Sequence, residues 1–173
     1  MCKGVIMQVT EMISRSLEQS QEYLARALFG LTQEEVVWSP GAECNSIAFI
    51  LWHTTRVEDS LVNRGVQHGT VLYEANGWQE KLGTPDKAWQ YTMEELQAWP
   101  VTKLEALQEY ADAVRENTLA YLKSVPEEKL SEVSRPDRSP DTIGAVLTRL
   151  ATEVALHVGQ IAYLRGIQRG LDK

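Results

Sequence analysis

The residues whose types and spacing could carry chemistry are His53, Glu153 and His157. His53 follows Ile50 by three positions and precedes Val57 by four, which places it on the apolar side of a helical stretch. Glu153 follows Leu150 by three, and His157 lies midway between Glu153 and Ile161, four from each. Four-residue spacing sets Glu153 and His157 one turn apart on one helix face. A polar group on an apolar stripe costs roughly several kcal/mol when it lacks a partner. A carboxylate among aliphatics is therefore expected to meet a cation. Two imidazoles and a carboxylate converging from two helices match the donor set of catalytic zinc sites with an open position, and of the triad that holds iron in oxygenases. The competing account is a core histidine satisfied by a glutamate one turn away, with no ion present. Two of the chain's 3 histidines fall on apolar stripes of separate helices, which favours the ion, while His68, beside Gly69, reads as solvated.

These residues need long helices to position them, and the 3.6-residue apolar period supplies four. In the first, Val5, Val9, Met12, Ile13, Leu17, Leu24, Ala27, Leu28 and Leu31 recur three or four apart, up to Gly30. Turn formers over 39–44 interrupt the pattern. A second helix opens near Asn45 and Ser46, either of which can cap it, carries Ile47, Ile50, Leu51, Val57 and Leu61 on one side, and stops around 63–65. From Gly65 to Thr92 the period lapses into a Gly-rich connection bearing Tyr73, Trp78 and Trp89. That is about twice the length beyond which structureless loops become uncommon, so short helical turns are expected inside it.

Thr92–Glu95 and Thr102–Glu105 both have the capping-box form, and the second opens a third helix that ends at Ser124 before Pro126. Its inward stripe is Leu104, Leu107, Ala111, Val114, Tyr121 and Leu122. Ser139 and Pro140 then read as the cap and first-turn proline of a fourth helix, which runs to about Gly166 with Ile143, Val146, Leu147, Leu150, Val154, Ile161 and Leu164 inward. The expected fold is all-α: an antiparallel four-helix bundle with a long crossover connection between helices 2 and 3, forming one domain over residues 1–173.

The 173-residue length suits a single domain with a true core, and 43% hydrophobic with 24% charged residues is ordinary for a globular chain. The net charge of −7, without any long Lys/Arg cluster, argues against a nucleic-acid partner. No apolar run is long enough to span a membrane, and the start of the chain lacks the pattern of a signal peptide, so a cytoplasmic location is expected. Cys2 and Cys44 are too few for a disulfide framework and read as free thiols. Cys44 precedes a helix start, but no histidine base lies near it in sequence, which suits a passive cysteine.

Two stretches of this sequence resemble the DinB-like superfamily, which also contains YfiT-like hydrolases and bacillithiol- and mycothiol-dependent enzymes. They are 45–53 (NSIAFILWH) followed by Arg56, Val57, Glu58 and Asp59, and 153–161 (EVALHVGQI). Trp38-Ser39-Pro40 and Gly77-Trp78 are similar too, and the likeness covers nearly the whole chain in helix order. The resemblance implies an antiparallel four-helix bundle, often a homodimer, with three histidines around Ni or Zn. His53 matches the first ligand and His157 the third, while Glu153 stands at the middle position where the family pattern has histidine. A carboxylate there shifts preference somewhat toward Mn or Fe.

With three protein ligands, the remaining positions of an ion hold water or substrate. Either a hydroxide nucleophile or an ionised thiol results. The resemblance favours a low-molecular-weight thiol directed at a small electrophilic substrate, with hydrolysis as the other route. Around this site Gln160 either orients His157 or packs between helices. Glu58 could orient Arg56 or act as an acid or base, but both residues are expected on a solvated helix surface. Tyr73, Trp78 and Trp89 either roof a pocket over the ion or anchor their loop. The opposing class of function is a non-catalytic binding or stress-related bundle, in which the two histidines and Glu153 form a buried polar network. Iron oxygenase chemistry is a third option, one for which the chain offers no co-substrate site.

Overall fold

The computed structural model describes residues 7–87 and 89–170, and most of these are helical. Cys2 and Val5 lie outside the described residues. Helix α1 (Val9–Leu28) buries Ile13, Leu17, Ala27 and Leu28, but Val9 and Met12, expected inward, are exposed. The carbonyls just past its C-terminus are taken by arginines of the last helical segment: Arg165 Nη1 donates to Phe29 O at 2.8 Å, and Arg169 Nη2 to Gly30 O at 2.5 Å. Cations at a helix C-terminus satisfy orphan acceptors and oppose the dipole. The short α2 (Gln33–Val37) follows, closed by a capping box between Thr32 and Glu35.

Helix α3 (Ile47–Asp59) is capped by Ser46, whose Oγ accepts from Phe49 N at 3.2 Å, and it widens into a π-helical turn over Ser60–Val66. It is buried on nearly every side rather than along one stripe, because α7 and α8 flank it and the long connection covers the rest. This connection is an ordered cover containing α4 (Leu72–Ala75), α5 (Trp78–Leu82) and α6 (Met93–Gln97), as its length demands. Asp59, fully buried, pins it to α3. Its carboxylate accepts from Leu72 N and Tyr73 N, each at 2.9 Å, and from Tyr110 Oη at 2.7 Å. Further along, Trp52 Nε1 and Tyr73 Oη meet Thr84 Oγ1 at 2.9 and 2.6 Å.

Helix α7 (Leu104–Ser124) begins two residues later than the sequence suggests. The second expected capping box does not form; instead Gln33 of α2 supplies the cap, its Oε1 accepting from Leu104 N at 3.1 Å. The capping box at Thr92 is present. Ser139 and Pro140 do not open the last helix either. They lie in β2 (Ser139–Thr142), which pairs antiparallel with β1 (Val133–Arg135) in a small hairpin. Proline is tolerated in such an edge strand, which leaves Thr142 to cap α8 (Ile143–Arg169) through Ala145 N at 3.2 Å. The whole predicted stripe of α8 is buried, with Val158 added. Helices α1 and α3 each pack on both α7 and α8, and two adjoining apolar clusters fill the space between them.

Candidate metal centre

His53 rides on α3 one turn after Phe49, and His157 on α8 one turn after Glu153. Contact between α3 and α8 brings the two imidazoles together, edge to face, with ring centroids 5.1 Å apart. Phe49 stacks on the other neighbour of the pair: its ring lies 6.1 Å from that of His53 at an interplanar angle of 7°. Both histidines are half-buried.

Gln160, one turn beyond His157, sets that ring's hydrogen bonding. Its Oε1 lies 2.8 Å from His157 Nδ1. A carbonyl oxygen only accepts, so with the amide oriented this way Nδ1 carries a proton and Nε2 is the atom turned toward the neighbouring groups. Nε2 lies 3.5 Å from Glu153 Oε2. Two groups then face each other that attract only if a cation lies between them or Nε2 is also protonated. Ligands at about 2.0–2.2 Å from a tetrahedral centre stand about 3.4 Å apart, so the separation suits a shared ion as well as a simple ion pair. The donor chemistry therefore fits a divalent metal: two imidazoles, one with its outer nitrogen already engaged, and a carboxylate. Among the described residues, no group of three His, Cys, Asp or Glu side chains closes around a metal position by itself. The arrangement is a pair of rings with a carboxylate at the rim.

Glu153 is not the deeply buried acid that its spacing suggests, because 42% of its side chain is exposed. It stands at the edge of the buried face of α8, beside Leu150 and Val154, so water rather than aliphatic packing surrounds much of the carboxylate. The reverse holds for Arg56 and Glu58, expected on a solvated surface. Arg56 is 2% and Glu58 3% exposed: the connection covers Arg56, and α7, through Arg115, covers Glu58. Glu58 accepts a bidentate pair from Arg115 Nε and Nη2 at 2.9 and 2.8 Å, and Arg115 Nη1 reaches Leu17 O at 2.7 Å. That network ties α1, α3 and α7 together. Arg56 lies 3.7 Å over the Tyr73 ring, its Nη2 3.2 Å from Asp86 Oδ1, while its Nε and Nη1 make no hydrogen bond.

Tyr73 and Trp78 do not roof the histidine pair; both are buried in the core against Tyr110, at 5.8 and 5.4 Å between centroids. Burial pushes the Tyr73 hydroxyl above the ordinary phenol range, and the Tyr110 hydroxyl rises further because the Asp59 carboxylate adds to burial. Trp89 is exposed, as is His68. The aromatic wall near His53 comes from elsewhere: Tyr91 and Trp99 meet Phe49 edge-on at 5.3 and 5.0 Å. Sequence spacing could have pointed to Phe49, one turn before His53, but nothing marks Trp99 without the path of the connection.

A mostly helical protein with paired imidazoles on two core helices defines a recognisable class. The chain belongs to the DinB superfamily, whose family model matches residues 16–161. A crystal structure of a conserved protein from Enterococcus faecalis is similar over 96% of this chain and 100% of that one, with a TM-score of 0.85 and 28% sequence identity. No curated protein matches the sequence significantly.

Proposed function

We propose that this protein is a divalent-metal-dependent enzyme of the DinB type, in which His53, Glu153 and His157 hold the ion and a low-molecular-weight thiol or water attacks a small electrophilic substrate. The reaction would be an S-transfer or a hydrolysis. The observation that carries the reading is the meeting of two imidazoles from α3 and α8, with Nδ1 of one engaged by Gln160. When bound, the ion would supply an ionised thiol or hydroxide near neutral pH. Gln160 fixes the tautomer and tilt of His157, so that Nε2 is the donor atom. Phe49 covers one flank of His53 and limits water on that side. Glu153, at the rim, makes the donor set harder than three imidazoles, which brings Mn and Fe into range beside Ni and Zn.

Metal analysis tests this. Protein purified without a histidine tag, then reconstituted with Ni, Zn, Mn or Fe, is expected to hold about one equivalent and to melt lower after chelation. Sub-stoichiometric metal that reconstitution does not raise, with melting unchanged by chelator, would overturn it. The second reading, a non-catalytic binding or stress-related module, is favoured by the 3.5 Å His157–Glu153 contact, which also suits an imidazolium–carboxylate pair.

The finer architecture we infer is one domain over 1–173, an antiparallel four-helix bundle of α1, α3, α7 and α8 with the crossover between α3 and α7. The packing of α1 and α3 on both other helices supports it. Among the described residues no helix is long and apolar enough to cross a membrane. A cytoplasmic location is part of this reading, and a small-molecule rather than nucleic-acid partner fits the net charge of −7. A homodimer through α1 and α8 is supported by the exposed Val9, Met12, Leu156 and Tyr163 on those two helices.

A further inference from the structure

Along the contact of α1 with α8 runs a groove made of two joined clefts of about 720 and 740 Å³, which share Ser16 and Ala155. Met12, Ile13 and Leu156 line the second, and no charged residue does. The first carries Arg26 and Arg165 at its far end. Asp and Glu outnumber Lys and Arg in the chain by 24 to 17, yet neither cleft is lined by a carboxylate. Arg165 is held in place by its Nη1, which donates to Ala27 O and Phe29 O at 3.3 and 2.8 Å. Arg26 is exposed, stands 5.8 Å over the Tyr23 ring and has no carboxylate partner among the described residues. Between the two ends the floor is low. A Cβ built on the exposed Gly159 meets nothing within 4 Å, so packing inside the chain does not require glycine there, and the bare backbone lets a ligand lie close.

We infer that this groove binds a long-chain fatty acid, with the carboxylate between Arg26 and Arg165 and the alkyl chain lying over Gly159 and Ala155 toward Met12. Positive charge at one end only selects an amphiphile with a single anionic head: guanidinium pairs with the carboxylate, and the chain buries apolar surface. From Met12 to Arg26, α1 spans about 21 Å, room for such a chain. A second copy is the poorer occupant of the charged end. A two-fold contact presents the same patch to itself, and this patch brings no carboxylate to Arg26. At the apolar end the ligand shares Met12 and Leu156 with the face proposed for the homodimer, so the two compete there. The inference does not depend on the metal.

The probe is cis-parinaric acid, a long-chain fatty acid whose fluorescence rises in apolar surroundings, titrated into the full chain with chelator present. A saturable rise is expected, and its methyl ester, which lacks the charge, should bind at least about tenfold more weakly. Arg26→Gln should weaken binding of the acid by about tenfold and leave the ester unchanged. Gly159→Leu should block both, because its side chain rises from the groove floor; unfolding in urea shows whether the fold is kept. Arg26→Gln is the decisive variant, since Arg26 is exposed and its loss leaves the core intact. No saturable rise, equal affinity for acid and ester, or unchanged affinity in Arg26→Gln would overturn the assignment. So would a dimer in sedimentation velocity that takes up no probe, which would give the groove to a second copy.

Discussion

The imidazole of His157 is held from outside by Gln160 and faces His53 from inside: Nδ1 lies 2.8 Å from Gln160 Oε1, and the two rings meet at 5.1 Å. The contact links α8 to α3, and neither ring is needed to complete an apolar cluster. His157→Ala is therefore expected to abolish metal binding while changing unfolding free energy by no more than about 1 kcal/mol. Mass-spectrometric metal content and urea denaturation of the same preparation check both halves. Full metal occupancy in the variant would reject His157 as a ligand.

Gln160 is exposed and, among the described residues, makes its side-chain hydrogen bond to His157, so its removal should leave the fold untouched. Groups that orient a metal-bound histidine typically account for about 10–100-fold in metal affinity. Gln160→Leu is expected to lose that much in a chelator competition titration, and Gln160→Glu, which keeps an acceptor near Nδ1, to recover most of it. Equal affinities in all three proteins would show that Gln160 only packs.

The Glu58–Arg115 pair behaves differently because both partners are buried and each would be stranded alone. Glu58→Gln leaves the guanidinium without its counter-charge, and the expected cost is about 3–5 kcal/mol, read from the urea midpoint at unchanged m-value. Replacing both residues by leucine should restore much of that loss, since a packed apolar pair often equals a buried ion pair. A single-variant cost within about 0.5 kcal/mol of zero would mean that water reaches the pair.

Why the sequence misplaces Glu58 also shows what periodicity can and cannot reveal. The stripe of α8, Ile143 through Leu164, is buried as predicted because one face of that helix meets the core along its length. Helix α3 carries the same kind of stripe, yet Arg56 is buried beneath the connection, against Tyr73, and Glu58 is buried against Arg115 of α7. Periodicity reports the face turned to neighbouring helices; it is silent about a connection that folds back over the opposite face. The partners were nevertheless visible, since Tyr110 and Arg115 continue the inward spacing of Leu107 and Val114 on α7. For the site, the His53–His157 meeting was legible from spacing and helix order. The exposure of Glu153 was not, because it depends on how wide the buried face of α8 is, and Glu153 stands at the edge of that face. The start of α8 was missed for a local reason: Ser139 and Pro140 fit a helix start or an edge strand equally well, and pairing with Val133–Arg135 decided between them.

Glu35 offers a pH-dependent test of how the two ends of the chain are joined. Hydrogen bonds from Arg169, then from the Thr32 backbone, hold its carboxyl down from 4.5 to about 2. Because the folded value lies below the unfolded one, the interaction stabilises fully above about 4.5 and is lost as pH falls toward about 2. Glu35→Gln removes the titration but keeps an acceptor for Thr32. The stability gap between wild type and Glu35→Gln is thus expected to be constant at neutral pH and to narrow progressively below about 4.5, in thermal melts at stepped pH. Raised salt should shrink the gap at neutral pH, as screening weakens an ion pair open to solvent. A gap that stays constant across the acid range would mean that Arg169 does not hold Glu35 in solution, and that the closure of α2 onto the end of α8 rests instead on Gln168, whose Nε2 donates to Glu35 O at 3.1 Å.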